Sequence, residues 1–241
     1  MELIKEAIHP LKTALLIGNV ILFGVIMWLI TEISSQTNAV ILYRAQYDKV
    51  TSIEAKVDEV HKQINETGGQ ANLYKDYLTL INEDQVVMKQ YLSTQKNLQS
   101  KIFYKYIPEH KKAISVSINH TNNLITQNEA NIAWAQEAAK QTPDENKLNN
   151  LLQEANKKAA IVDTSLVEQD KEAQGLEARV AISHLWGIYV LSPISILTIL
   201  LFGGSFLLFV KIKRTFILIL LFVLGVCNLL GFFLLSTMIF L

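Results

Sequence analysis

Five histidines (His9, His61, His110, His120 and His184), one cysteine (Cys227) and 22 acidic residues are the groups from which a metal or catalytic centre would have to be built. Their spacing does not build one. No two histidines stand three or four residues apart, the separation that puts two ligands on one helix face. A lone cysteine excludes a thiolate cluster and an intrachain disulfide alike. Gly68-Gly69 and Gly203-Gly204 are paired glycines without the spacing, or the Lys and Ser/Thr, of a phosphate loop. No serine sits in a Gly-x-Ser-x-Gly elbow. The chain is expected to be non-enzymatic, with no catalytic residue, no cofactor and no metal.

The polar chemistry that remains is of the kind that joins helices. Asn19 and Asn228 interrupt long apolar runs. An amide in such a place hydrogen-bonds across helices, for about 1 kcal/mol. Gly203, Gly204, Gly225 and Gly231 lie in the same runs and permit close approach. In the polar middle of the chain, Thr121, Asn128 and Gln169 fall on positions that otherwise repeat apolar residues at helical spacing. Polar seam residues of this type fix register or line a pocket.

Three apolar runs must carry the first set, at roughly 13–31, 185–210 and 216–241. Each approaches the 20 residues needed to cross bilayer hydrocarbon. No Asp, Glu, Lys, Arg or His lies deep in any of them, which argues against an ion or proton pathway. Lys211, Lys213 and Arg214 crowd the turn between the second and third runs, and Lys5 and Lys12 precede the first. By the positive-inside rule both segments belong in the cytoplasm. The first run is longer than a signal-peptide core and has no clean small-x-small cleavage site, so it is read as an uncleaved anchor. Trp28, Trp186 and Tyr189 stand at the outer ends of the first two runs, where interfacial aromatics anchor spans. The expected localisation is the cell (inner) membrane, with the N-terminus cytoplasmic and residues 33–182 extracytoplasmic.

Within 33–182 there are about 17 Lys and Arg against about 19 Asp and Glu, and the whole chain has zero formal net charge. No basic stripe stands out, so nucleic acid is not an expected partner. Four blocks carry heptad-like spacing, predicting helices at about 33–66, 71–107, 109–141 and 144–182. Gly68-Gly69 supplies one stop, Pro108 another, and Thr142-Pro143-Asp144-Glu145 reads as a capped helix start. At 1.5 Å per residue the four are of similar length, roughly 50–60 Å. They can return the chain to the membrane only if Pro108 turns it. The predicted fold class is all-α: three transmembrane helices plus an antiparallel four-helix bundle of coiled-coil type. The Pro108 turn then lies beside the membrane. Phe103, Tyr104 and Tyr106 precede it, either as a tip resting on headgroups or as a plug closing the base of the core.

The order of anchor, extracytoplasmic bundle of about 150 residues and return helix resembles the sensor half of bacterial chemoreceptors, over about residues 11–210. The likeness is architectural and rests on no diagnostic motif. It implies a sensory role, but those receptors continue into a cytoplasmic signalling module, whereas here a basic turn leads to a third run. The three-span layout is also similar to the Oxa1-type insertase family, whose coiled coil is cytosolic; the basic turn argues the opposite orientation. Three functions follow as expectations: a structural or sensory subunit of a membrane protein complex, an insertase or chaperone with a cytosolic coiled coil, and a membrane-perturbing toxin or lysis protein. The expected partners are the lipid bilayer and other membrane proteins, reached through the spans and the bundle. A second copy of the chain could use the same surfaces.

Overall fold

The computed structural model describes residues 2–67, 71–174, 176–211 and 216–240. Among them the elements are helices: α1 (Glu2–Thr67), α2 (Ala71–Gln99), α3 (Ile102–Tyr106), α4 (Pro108–Ala138), α5 (Glu145–Gln174), α6 (Leu176–Lys211) and α7 (Phe216–Phe240). Three of them, α1, α6 and α7, contain stretches long and apolar enough to cross a membrane. The chain divides into two compact units, one of Met1–Ser35 with Val180–Leu241 and one of Gln36–Arg179. The unbroken helix α1 contributes to both. It continues without a break from the first apolar run because no glycine, proline or capping pair interrupts residues 25–67.

In the apolar unit, α1, α6 and α7 pack on one another. Leu15 approaches Gly204 while Gly18 approaches Leu201, so α1 and α6 run in opposite senses. Asn19 meets Asn228 and Ile26 meets Gly231, so α1 and α7 run in the same sense. The rings of Phe202, Phe206 and Phe209 gather around Phe222. Leu218, Leu221 and Leu235 are fully buried among these helices, while Ile21, Ile199, Leu200 and Phe216 face outward. An apolar exterior suits lipid, which supplies no hydrophobic drive between spans, so packing and hydrogen bonds must hold them together. α6 runs through Pro193 and α1 through Pro10 without ending.

The second unit is built on three clusters along α1, α2 and α4. Ala39, Leu98 and Ile114 form one. Val50, Met88, Tyr91 and Ile125 form the next. Ile64, Tyr77, Ile81, Trp134 and Ala135 form the third. Along this series the numbers rise in α1 and α4 and fall in α2. Leu148 and Leu151 of α5 pack beside the third cluster, and α5 runs back along α4 as far as the contact between Ser165 and His120.

Several boundaries differ from those read in the sequence: α4 ends at Ala138 rather than at 141, and the stretch 144–182 is divided between α5 and α6. Residues 71–107 form α2 and α3 with a break at Ser100 and Lys101. The Ser100 hydroxyl donates to the Asn97 carbonyl at 2.6 Å, a local bond that competes with the helical ladder. The start of α5 is capped by Asp144, not Thr142. Asp144 Oδ1 accepts from the backbone N–H groups of Asn146 (3.0 Å) and Lys147 (3.2 Å). A carboxylate there satisfies two orphan donors and meets the positive end of the dipole. Pro108, read as a stop, itself occupies the first turn of α4, and Ile107 before it is extended at φ −87, ψ 115. Gly68, Gly69, Lys213 and Arg214 lie outside the described residues.

Candidate functional site

Asn19, Ser205 and Asn228 form one buried polar cluster in the apolar unit. Each is at most 1% exposed. Asn228 Nδ2 donates to both the side-chain and the backbone oxygen of Asn19, at 3.0 Å each. Asn19 Nδ2 donates to Ser205 Oγ at 3.2 Å and to the Leu15 carbonyl at 2.9 Å. Ser205 in turn donates to the Leu201 carbonyl at 2.7 Å. One amide thus joins all three helices, and its donor and acceptor are both used. Asn228 Oδ1 accepts nothing among the described residues.

Glycine makes this approach possible at some positions and not at others. A Cβ at Gly231 would stand 2.9 Å from Ile26 Cγ2, and one at Gly225 would stand 3.2 Å from Phe202 Cδ2. Gly204 faces Leu15, and Gly18 faces Leu201. At Gly203, by contrast, a Cβ would meet nothing within 4 Å among the described residues. Ser205 and Thr198, each almost wholly buried, escaped that reading because hydroxyls bonded to the preceding turn are common in apolar helices. Thr198 donates to the Ile194 carbonyl at 2.7 Å.

The second unit contains a cleft of about 460 Å³ bordered by α1, α2, α4 and α5. α1 supplies Glu54, Asp58 and His61, α2 supplies Tyr77 and Asp84, and α5 supplies Asp163. No Lys or Arg lines it among the described residues. Asp84 is 2% exposed. Its Oδ2 accepts from Asn128 Nδ2 at 2.6 Å, and its Oδ1 has no hydrogen-bond partner. Burial pushes the Glu54 carboxyl up to about 7, assisted by the neighbouring charges of Asp84 and Asp58. Burial likewise raises Asp84 to about 6, against the opposing hydrogen bond from Asn128. Burial also raises the Tyr77 phenol. The Tyr77, Trp134 and His61 rings meet at one end, with centroids 5.6–6.3 Å apart.

The seam residues chosen from the sequence fall in different surroundings. Asn128 lines this cleft and holds Asp84. Thr121 lies in a separate knot, where Gln95 Nε2 donates to Thr121 Oγ1 at 3.0 Å and to Ser117 Oγ at 2.9 Å. Gln169 keeps a buried oxygen without a hydrogen bond among the described residues. At the Pro108 turn, Tyr104 packs against the cluster of Ala39, Leu98 and Ile114. Tyr106 is 67% exposed with Lys105 Nζ 5.1 Å from its ring. Tyr104 therefore packs on the core, whereas Tyr106 faces out. The side chains of Phe103 and Trp186 lie outside the described residues.

Glu54 and Asp84 were missed by the sequence reading. Their signal was present: Glu54 stands four residues after Val50 and three before Val57, and Asp84 stands three after Ile81 and four before Met88. Each occupies an apolar-face position of its helix. Among the described residues no group of three or more His, Cys, Asp or Glu is placed to hold a metal. No protein-family model, curated protein or solved structure matches the chain.

Proposed function

We propose that this chain is a non-enzymatic sensory subunit of a membrane protein complex, with α1, α6 and α7 crossing the cell membrane and 36–179 forming an antiparallel four-helix bundle outside the cytoplasm. One observation carries the reading. The cleft takes three ionisable groups, Glu54, Asp58 and His61, from α1, the same unbroken helix that contributes Asn19 to the apolar unit. A change of charge or occupancy in the cleft acts directly on a helix that enters the bilayer. The rising and falling contact order of α1, α2 and α4 supports the antiparallel arrangement. The basic residues Lys211, Lys213 and Arg214 support a cytoplasmic turn.

The apolar unit favours a subunit over an insertase. Its amides are turned inward and bonded to one another, where an insertase groove would present them to a client. The exterior of these helices is apolar, ready to pack on lipid or on partner helices, and a signal would pass sideways to such a partner. Purification of the full chain in mild detergent from its native membrane, followed by mass spectrometry, tests this. Stoichiometric recovery of an integral membrane protein supports the proposal. Recovery as a stable monomer alone overturns it.

A further inference from the structure

We infer that the cleft between α1, α2, α4 and α5 binds an aliphatic diamine or polyamine, one ammonium group seated on Asp84 and another at the mouth between Asp58 and Asp163. This names the ligand class of the sensory reading and rests on that reading only for its consequence, since binding itself is measured independently.

The geometry selects the class. A cleft of about 460 Å³ falls in the range of small-molecule sites. Its ionisable lining is four carboxylates, a histidine and the Tyr77 phenol, without a Lys or Arg among the described residues, so it favours a cation. At its inner end Asp84 is 2% exposed and its Oδ1 lacks a hydrogen-bond partner. A buried carboxylate oxygen left unbonded is costly and calls for a donor. A primary ammonium brings three N–H donors; a quaternary ammonium brings none. A metal ion is the weaker fit, because the acids are not grouped as ligands. Asp58 and Asp163 are exposed at the rim, which gives two levels of negative charge and hence a place for two positive ones. Val57, Met88 and Val162 also line the cleft and offer apolar surface to a methylene chain. Tyr77 and Trp134 also line the cleft, and aromatic rings attract a cation.

The ionisable groups lining the cleft are Glu54, Asp58, His61, Tyr77, Asp84 and Asp163. Of these, Glu54 and Asp84 are held up to about 7 and about 6. An ammonium beside them stabilises the charged forms, so binding near pH 6.5 must expel protons. Near pH 8.5 it must not.

The test is isothermal titration calorimetry of the full chain in nanodiscs with 1,4-diaminobutane. Tetramethylammonium, magnesium and succinate serve as comparison probes. The expected result is saturable diamine binding in the millimolar range or tighter. Tetramethylammonium should bind at least about tenfold more weakly, in line with the loss of charge-assisted donors, and succinate not at all. Near pH 6.5 the apparent enthalpy should vary with the ionisation enthalpy of the buffer, showing proton release. Asp84→Asn, which retains an oxygen for Asn128, should weaken binding about tenfold or more. The rim variant Asp163→Asn, which cannot disturb the core, should weaken it several-fold. Absence of saturable binding below about 10 mM diamine overturns the inference. So does equal binding of tetramethylammonium or magnesium, or unchanged affinity in both variants. A chain that binds diamine yet purifies without a partner would retain this inference and refute only the complex.

Discussion

Replacing Glu54 by Gln should stabilise the extramembrane unit at about pH 8 and leave it nearly unchanged at about pH 4.5. The carboxyl is raised from 4.5 to about 7, first by burial and then by Asp84 and Asp58. A raised acid binds its proton more tightly in the folded chain than in the unfolded one. Its contribution to stability is therefore complete below about pH 4.5 and is lost as the pH climbs through about 7. Taken at face value the shift corresponds to roughly 3 kcal/mol. Glu54 is only half-buried, and solvent screens part of this, leaving about 1–2 kcal/mol. Glutamine keeps the shape and removes the charge, so the variant should recover that amount at high pH. Urea unfolding of the full chain in detergent, followed by Trp134 fluorescence with Trp28 and Trp186 changed to Phe, measures it. Trp134 suits the purpose because it is buried beside Tyr77. A variant that is neutral or destabilised at about pH 8, or stabilised equally at both pH values, would refute the reasoning.

Three further outcomes follow from other parts of the structure. A double-mutant cycle of Asn19→Leu and Asn228→Leu, read by SDS titration from mixed micelles, should give a coupling of about 0.6–1.7 kcal/mol; additive effects would remove the amide bond from the account. Gly231→Val should cost about 1–3 kcal/mol by overpacking, since a Cβ there meets Ile26 at 2.9 Å, whereas Gly203→Val should be tolerated because nothing stands within 4 Å; equal penalties in the same titration would contradict the packing. Glu137 accepts from Lys140 Nζ at 2.7 Å and Lys147 Nζ at 2.9 Å, and those bonds lower its carboxyl from 4.5 to about 2. Its contribution is thus present above about pH 4.5 and fades as the pH falls through about 2, so the lower urea midpoint of Glu137→Gln at about pH 6 should converge on that of the parent at about pH 2.

Much of the helical framework was legible because its signals are local. The apolar runs depend on length and composition alone, and Pro108 marks the break between the second and third blocks. The continuity of α1 over residues 25–67 was legible from the absence of glycine and proline there. The break at Ser100 and the cap by Asp144 were not, because each turns on which of several adjacent polar groups captures a backbone partner. Asn19 and Asn228 stood out as amides in apolar runs, but their meeting with Ser205 depends on how three helices are rotated about their axes. The cleft was least visible. Glu54 and Asp84 look like ordinary solvated acids in helices rich in charge; only their phase, in step with Val50, Val57, Ile81 and Met88, marks them as inward-facing. Gly203 shows the converse: a small residue in a span carries no information on the direction it faces.

The proposed orientation is tested most directly by cysteine accessibility. Thr67, exposed at the end of α1, is changed to Cys in a Cys227→Ala background, and a membrane-impermeant maleimide is applied to intact cells, with the outer membrane opened where there is one, and separately to inverted vesicles. Labelling at Thr67→Cys from the outer face alone is the result this account requires. Labelling from the cytosolic face alone would place the acidic cleft inside the cell and contradict it.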